Sequence, residues 1–209
     1  MTIIDDGVIK FTLNNQEMPL KVDINTINSL ENWRKKLYAI ELIGEYKSDH
    51  IGYGNLSLLI KRFGRNDQPE FLITGTQTGH LPVLTANEYT LVHSYDLEKN
   101  IVNSEGPMKP SSESLTHAAI YLANQEISAV FHGHDTHLWN EMINHNYLST
   151  AASIPYGTID MAVAVQKLTY NKPSGLFVMK GHQDGIVSWG RTADEAGELL
   201  LEVNHKFKR

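Results

Sequence analysis

Apolar and polar positions alternate along GVIKFTLNN (7–15), as in a half-buried strand. The period then changes. Leu30, Trp33, Leu37 and Ile40 recur at helical spacing with charges between them, which predicts a helix over about 26–43. NLSLLIK (55–61), FLITGT (71–76) and YTLVHSY (89–95) read as strands. Residues 96–112, with Gly106, Pro107 and Pro110, read as a loop leading into a helix over about 114–125. SAVFHGH (128–134) reads as a buried strand. Asp135 can cap a helix running to about 145, and Thr158 can cap another. LFVMKGH (176–182) and GIVSWG (185–190) form a predicted hairpin, and Thr192 to Glu195 reads as a capping box opening the last helix. Strands come first in a run and then alternate with helices. The expectation is one α/β (α+β) domain over 1–209, with residues 1–25 as an N-terminal strand extension and a mixed sheet between helices.

Composition narrows the chemistry. The chain of 209 residues is long enough for one sizeable core, and its net charge of −6 comes with scattered basic residues. That argues against nucleic acid as a partner. No apolar run reaches the roughly 18 residues of a membrane span, and MTIIDDGVIK lacks the apolar core of a signal peptide. A cytoplasmic protein is expected. Cysteine is absent, which excludes disulfides, thiolate ligands and cysteine nucleophiles. A transition-metal site would have to use histidine and carboxylate, a set that suits zinc, iron, nickel or manganese.

Ten histidines are present, and three fall in AVFHGHDTHLW (129–139). His132 and His134 are two apart on a strand and so share one face at its C-terminal end, while Gly133 leaves the other face open to close approach. His182 ends a second apolar run. If the two strands are near neighbours, three imidazoles can converge and leave an open position, the pattern of a catalytic rather than a structural zinc. Residues alone also allow a pair of histidines satisfied by local hydrogen bonds and a hairpin-turn histidine at 182. His137 lies a turn into the helix capped by Asp135 and is expected to point elsewhere. H-G-H-D-T-H places its aspartate one position early for the H-x-H-x-D-H metal motif of metallo-β-lactamase-like hydrolases. An amidohydrolase barrel of about 250 residues does not fit the length.

Three further stretches carry polar chemistry. In KPSSE (109–113) a polar loop enters a helix, whose N-terminus suits an anion; Ser111 and Ser112 add hydroxyls and Glu113 a carboxylate. The turns GYGNLS (52–57) and TGTQTG (74–79) could cradle a phosphate. Each of these alone is also an ordinary cap or strand connection.

Taken in order, GNLS (54–57), LITGTQTG (72–79), KPSSE (109–113), FHGH (131–134), GHQDG (181–185) and WGRTADEA (189–196) resemble the motifs of the class II aldolase/adducin family, over roughly residues 27–205. The resemblance implies a three-layer α/β/α sandwich around a central mixed, mostly antiparallel sheet. It implies a divalent metal, usually zinc, on His132, His134 and His182, with Glu113 as acid/base and as a fourth, displaceable ligand. Gly54, Asn55, a Thr-Gly turn, Ser111 and Ser112 would hold a substrate phosphate. The longer TGTQTG turn leaves Thr74-Gly75 and Thr78-Gly79 in competition, and Thr78-Gly79 is the preferred pair. The implied reaction is aldehyde-lyase cleavage or formation of a C–C bond in a small keto-sugar phosphate through a metal-stabilised enediolate, in carbohydrate metabolism. Epimerase, dehydratase or decarboxylase chemistry is the alternative, and a non-catalytic adducin-like scaffold a further one. A homotetramer is implied as well. The family's catalytic tyrosine has no clear counterpart; Tyr147 and Tyr156 lie in the right region.

Overall fold

In the computed structural model, which describes residues 7–208, the strand residues send alternate side chains into two different cores. On β5 (Glu70–Thr74) Phe71 and Ile73 enter one core and Leu72 the other. On β8 (Ala129–His134) Val130 faces the first core, and Ala129 and Phe131 the second. β10 (Gly185–Gly190) divides in the same way, with Val187 and Trp189 opposite Ile186. A sheet apolar on both faces must be covered twice. Helices α2 (Ser114–Ala123) and α4 (Ile159–Thr169) close the first face. Helices α1 (Ile24–Ala39), α3 (Thr136–Asn144) and α5 (Ala193–Phe207) close the second. The result is a three-layer α/β/α sandwich.

The remaining strands are β1 (Thr12–Glu17), β2 (Gly44–Tyr46), β3 (Ile51–Tyr53), β4 (Asn55–Lys61), β6 (Tyr89–Asp96), β7 (Ile101–Gly106) and β9 (Gly175–Val178). The main sheet runs β1-β7-β6-β5-β4-β8-β10-β9. Its pairs are antiparallel except β1 with β7. β2 and β3 form a separate hairpin.

Caps set several boundaries. Asp135 Oδ1 accepts from Leu138 N at 2.5 Å, and Thr158 Oγ1 from Met161 N at 3.2 Å. Thr192 Oγ1 accepts from Glu195 N at 3.0 Å, but the Glu195 carboxylate takes the N–H of Arg191, so only half of the expected capping box forms. The sequence expectation of a loop over 96–112 is overturned: Ile101–Gly106 is β7, between β6 and β1. Its outward positions include Asn103 and Glu105 and its buried ones Ser104 and Gly106, so polarity conceals its alternation. The first strand begins at Thr12 rather than near residue 7, and residues 1–6 lie outside the described set. Helix α1 stops at Ala39 because Glu41 takes a left-handed φ of 60° and turns Leu42 and Ile43 into the second core. No helix among the described residues is long and apolar enough to cross a membrane.

Candidate functional site

β8 lies in the interior of the sheet between β4 and β10. His132 and His134 share a face with Val130, toward the α2–α4 layer, and their ring centroids are 4.7 Å apart. Gly133 faces the other way. There the bare glycine admits the close backbone approach expected of it: a Cβ would stand 2.9 Å from Leu42 O, which accepts from His134 N at 2.9 Å. His182 is not on a strand. It lies in the turn joining β9 to β10, where its N–H donates to Met179 O and its carbonyl accepts from Gly185 N. This turn carries the His182 ring to 5.3 Å from His132 and 4.8 Å from His134. One nitrogen from each ring forms a set whose members all lie within 4.8 Å of one another.

Burial keeps these rings neutral. It pushes His132 down to about 3 and His134 and His182 well below the usual histidine range, each further depressed in the latter two by neighbouring rings. Neutral imidazole is the metal-binding form. His132 Nε2 is buried without a hydrogen-bond partner, as expected of an atom awaiting a cation. The three rings therefore fit a divalent metal. Tyr46 OH stands 2.8 Å from His134 Nδ1, Tyr53 stacks on His134 at 5.4 Å, and the Tyr156 ring lies 4.4 Å from that of His182. His137 is turned away, with Nε2 2.9 Å from Phe207 O.

Glu113 enters from the α2–α4 layer that the histidines face. It is the residue preceding α2, is 2% exposed, and brings Oε1 to 3.9 Å from His182 Nε2. Ser111 and Ser112 precede it and are buried. Ser111 N donates to Thr74 O, and a bridge joins Gly75 to Pro110, so the serines and the glycine turn after β5 are held side by side.

These groups line a small polar pocket, with Gly7, Gly52, Tyr53, Gly54, Asn55, Gly75, Gln77, Ser111, Ser112, Glu113 and the three histidines around it. Of the residues expected from sequence, Thr78 and Gly79 are not in this lining. Thr78 Oγ1 turns back to Gly75 O at 2.9 Å. Gly79 packs under β3, where a Cβ would strike the carbonyl oxygens of Tyr53 and Gly44. Gly75 and Gln77 take the pocket-facing places; Gln77 is left-handed at φ 58°. Arg34 fixes this segment from behind, donating to Thr78 O at 2.9 Å and Leu81 O at 2.5 Å. Gly52 and Tyr53, at the end of β3, and Gln77 lie inside stretches already marked by their glycines. Gly7 gave no signal. Tyr147 is remote, its hydroxyl accepting from Lys206 Nζ at 3.0 Å, and Tyr156 OH donates to Val8 O at 3.3 Å.

Residues 35–208 match the family of the Class II Aldolase and Adducin N-terminal domain. The chain belongs to this family. Solved class II aldolase structures share the fold. A sugar-phosphate aldolase from Thermotoga maritima has a TM-score of 0.66 at 16% identity, covering 87% of this chain and 91% of its own. YgbL from Escherichia coli has 0.65 at 20%, covering 90% and 89%. An L-fuculose 1-phosphate aldolase has 0.63 at 22%, covering 90% and 85%. Identities this low make the likeness one of fold. No curated protein sequence matches the chain significantly.

Proposed function

We propose that the protein is a divalent-metal-dependent aldehyde-lyase acting on a small keto-sugar phosphate. The observation that carries this reading is the convergence of three buried neutral histidines with a buried carboxylate at one polar pocket. His132, His134 and His182 would hold the metal, most simply zinc given all-nitrogen ligation by imidazole. When bound, it supplies Lewis-acid polarisation of a substrate carbonyl.

The chain's own groups do the rest. Glu113 moves a proton at the carbon next to the carbonyl, from a carboxylate whose burial excludes competing water. Ser111, Ser112, Gly54, Asn55 and Gln77 line the same wall of the pocket, with the serine hydroxyls as donors for a phosphate and Gly75, whose N–H is held by Glu88 O, giving it room. No lysine or arginine is among the described lining residues, so the phosphate would be held by dipoles. Two fold relatives are described as aldolases of phosphorylated sugars, which supports the choice of substrate class. A homotetramer is the proposed assembly, to be checked by light scattering.

Elemental analysis of protein purified without chelator, combined with a panel of keto-sugar phosphates and aldehyde detection, tests the reading. About one divalent ion per chain is expected, lost in H132A/H134A. Protein without metal overturns it. Metal with epimerised, dehydrated or decarboxylated product reassigns the reaction, and metal with no turnover across the panel points to a scaffold role.

A further inference from the structure

Asn55 and His132 are directly opposed on the antiparallel strands β4 and β8. Opposed residues put their side chains on one face, close enough to touch. The Asn55 amide nitrogen stands 3.1 Å from His132 Nδ1. With the nitrogen toward the ring, two buried atoms are left without partners: Asn55 Oδ1 and His132 Nε2. A neutral imidazole that accepts at Nδ1 carries its proton on Nε2. Yet Nε2 lies on the side of the ring where Gly185 and His182 approach, which is the side of the three-histidine group. A proton there blocks ligation.

Amide oxygen and nitrogen exchange places by a half-turn of the group, and the hydrogen-bond network decides between the two orientations. The turned orientation resolves the conflict. Oδ1 then accepts from Nδ1–H, the stranded acceptor gains a donor, and Nε2 keeps its lone pair. The amide N–H groups move to the place Oδ1 held, on a residue that lines the pocket.

We infer that Asn55 is a positioning residue for His132: its amide oxygen fixes the Nδ1–H tautomer and presents Nε2 to the metal. This rests on the reading that the three histidines hold a divalent ion. Partners of this kind orient a ligand and set its basicity, and their loss typically costs about 10–100-fold in metal affinity.

The test has two readouts. Long-range ¹H–¹⁵N correlation on the metal-free protein, with His132 assigned through H132Q, reads the tautomer directly. Protonated Nδ1 with bare Nε2 is expected; protonated Nε2 overturns the inference. Zinc affinity by chelator competition is the second. N55L, similar in size but without an acceptor, should bind about 10–100-fold more weakly, and N55D, which keeps the acceptor, should recover most of the loss. N55L binding as tightly as the wild type, or N55D as weakly as N55L, also overturns it. If the wild type takes up no zinc, the proposed function falls, and the tautomer measured without metal still decides the role of Asn55.

Discussion

Glu113 Oε1 and His182 Nε2 stand 3.9 Å apart, both side chains buried, although they arrive from different parts of the fold. Glu113 comes from the start of the helix over one sheet face, and His182 from the turn between two strands. That juxtaposition places a carboxylate beside the three-histidine group. Replacing Glu113 by Gln keeps the shape and removes the base. E113Q should lose about 10²–10⁴-fold in kcat while keeping its metal content. Steady-state kinetics with elemental analysis on the same preparation checks this, and an unchanged kcat contradicts the assigned role.

Because the three histidines come from β8 and from the β9–β10 turn, a metal held by them would cross-link the sheet. At a free zinc concentration of 100 times Kd, binding should add about 2.7 kcal/mol to stability. Differential scanning calorimetry should show a rise of several degrees, reversed by chelator and missing in H182A.

The same rings make the metal-free protein sensitive to acid. His117, His132, His134 and His182 are buried, and burial is the largest cause pushing each below its ordinary range, His132 to about 3. The unfolded chain takes up protons on these rings near pH 6.5, and the folded chain does not. The stability that folding gains above pH 6.5 is therefore lost as pH falls toward the folded values, by up to about 1.4 kcal/mol per pH unit for each ring. The melting temperature of metal-free protein should be level above about pH 7.5 and fall steadily from 6.5 to 4; a flat profile contradicts it.

Gly79 is a packing glycine, not a pocket group. Because a Cβ would meet rigid carbonyls of β2 and β3, G79A should lower stability by about 1–3 kcal/mol in urea denaturation and leave zinc affinity unchanged. A loss of affinity with no loss of stability would return Gly79 to the site.

The pairing of His132 with His134 was legible because strand geometry forces it. A two-residue spacing puts His132 and His134 side by side, and the Asp135 cap turns His137 out of register with them. The approach of His182 was legible only conditionally, since it depends on β10 pairing with β8. β7 was hidden because its inward positions include a serine and a glycine. The choice between Gly75-Gln77 and Thr78-Gly79 turned on one left-handed residue, Gln77, which sequence gave no means to locate. Asn55 was visible as a turn residue, but its contact with His132 depends on cross-strand register.

The pocket's walls are made of different material. One wall is main-sheet strand and a short turn pinned by backbone hydrogen bonds, and much of the rest is the end of the small β2–β3 hairpin at residues 52–54 and the glycine-bearing turn at 75–77. Loops accept changes of length that sheets do not. A sequence could thus change what the pocket admits by redrawing these segments while the three histidines and Glu113 stay where they are.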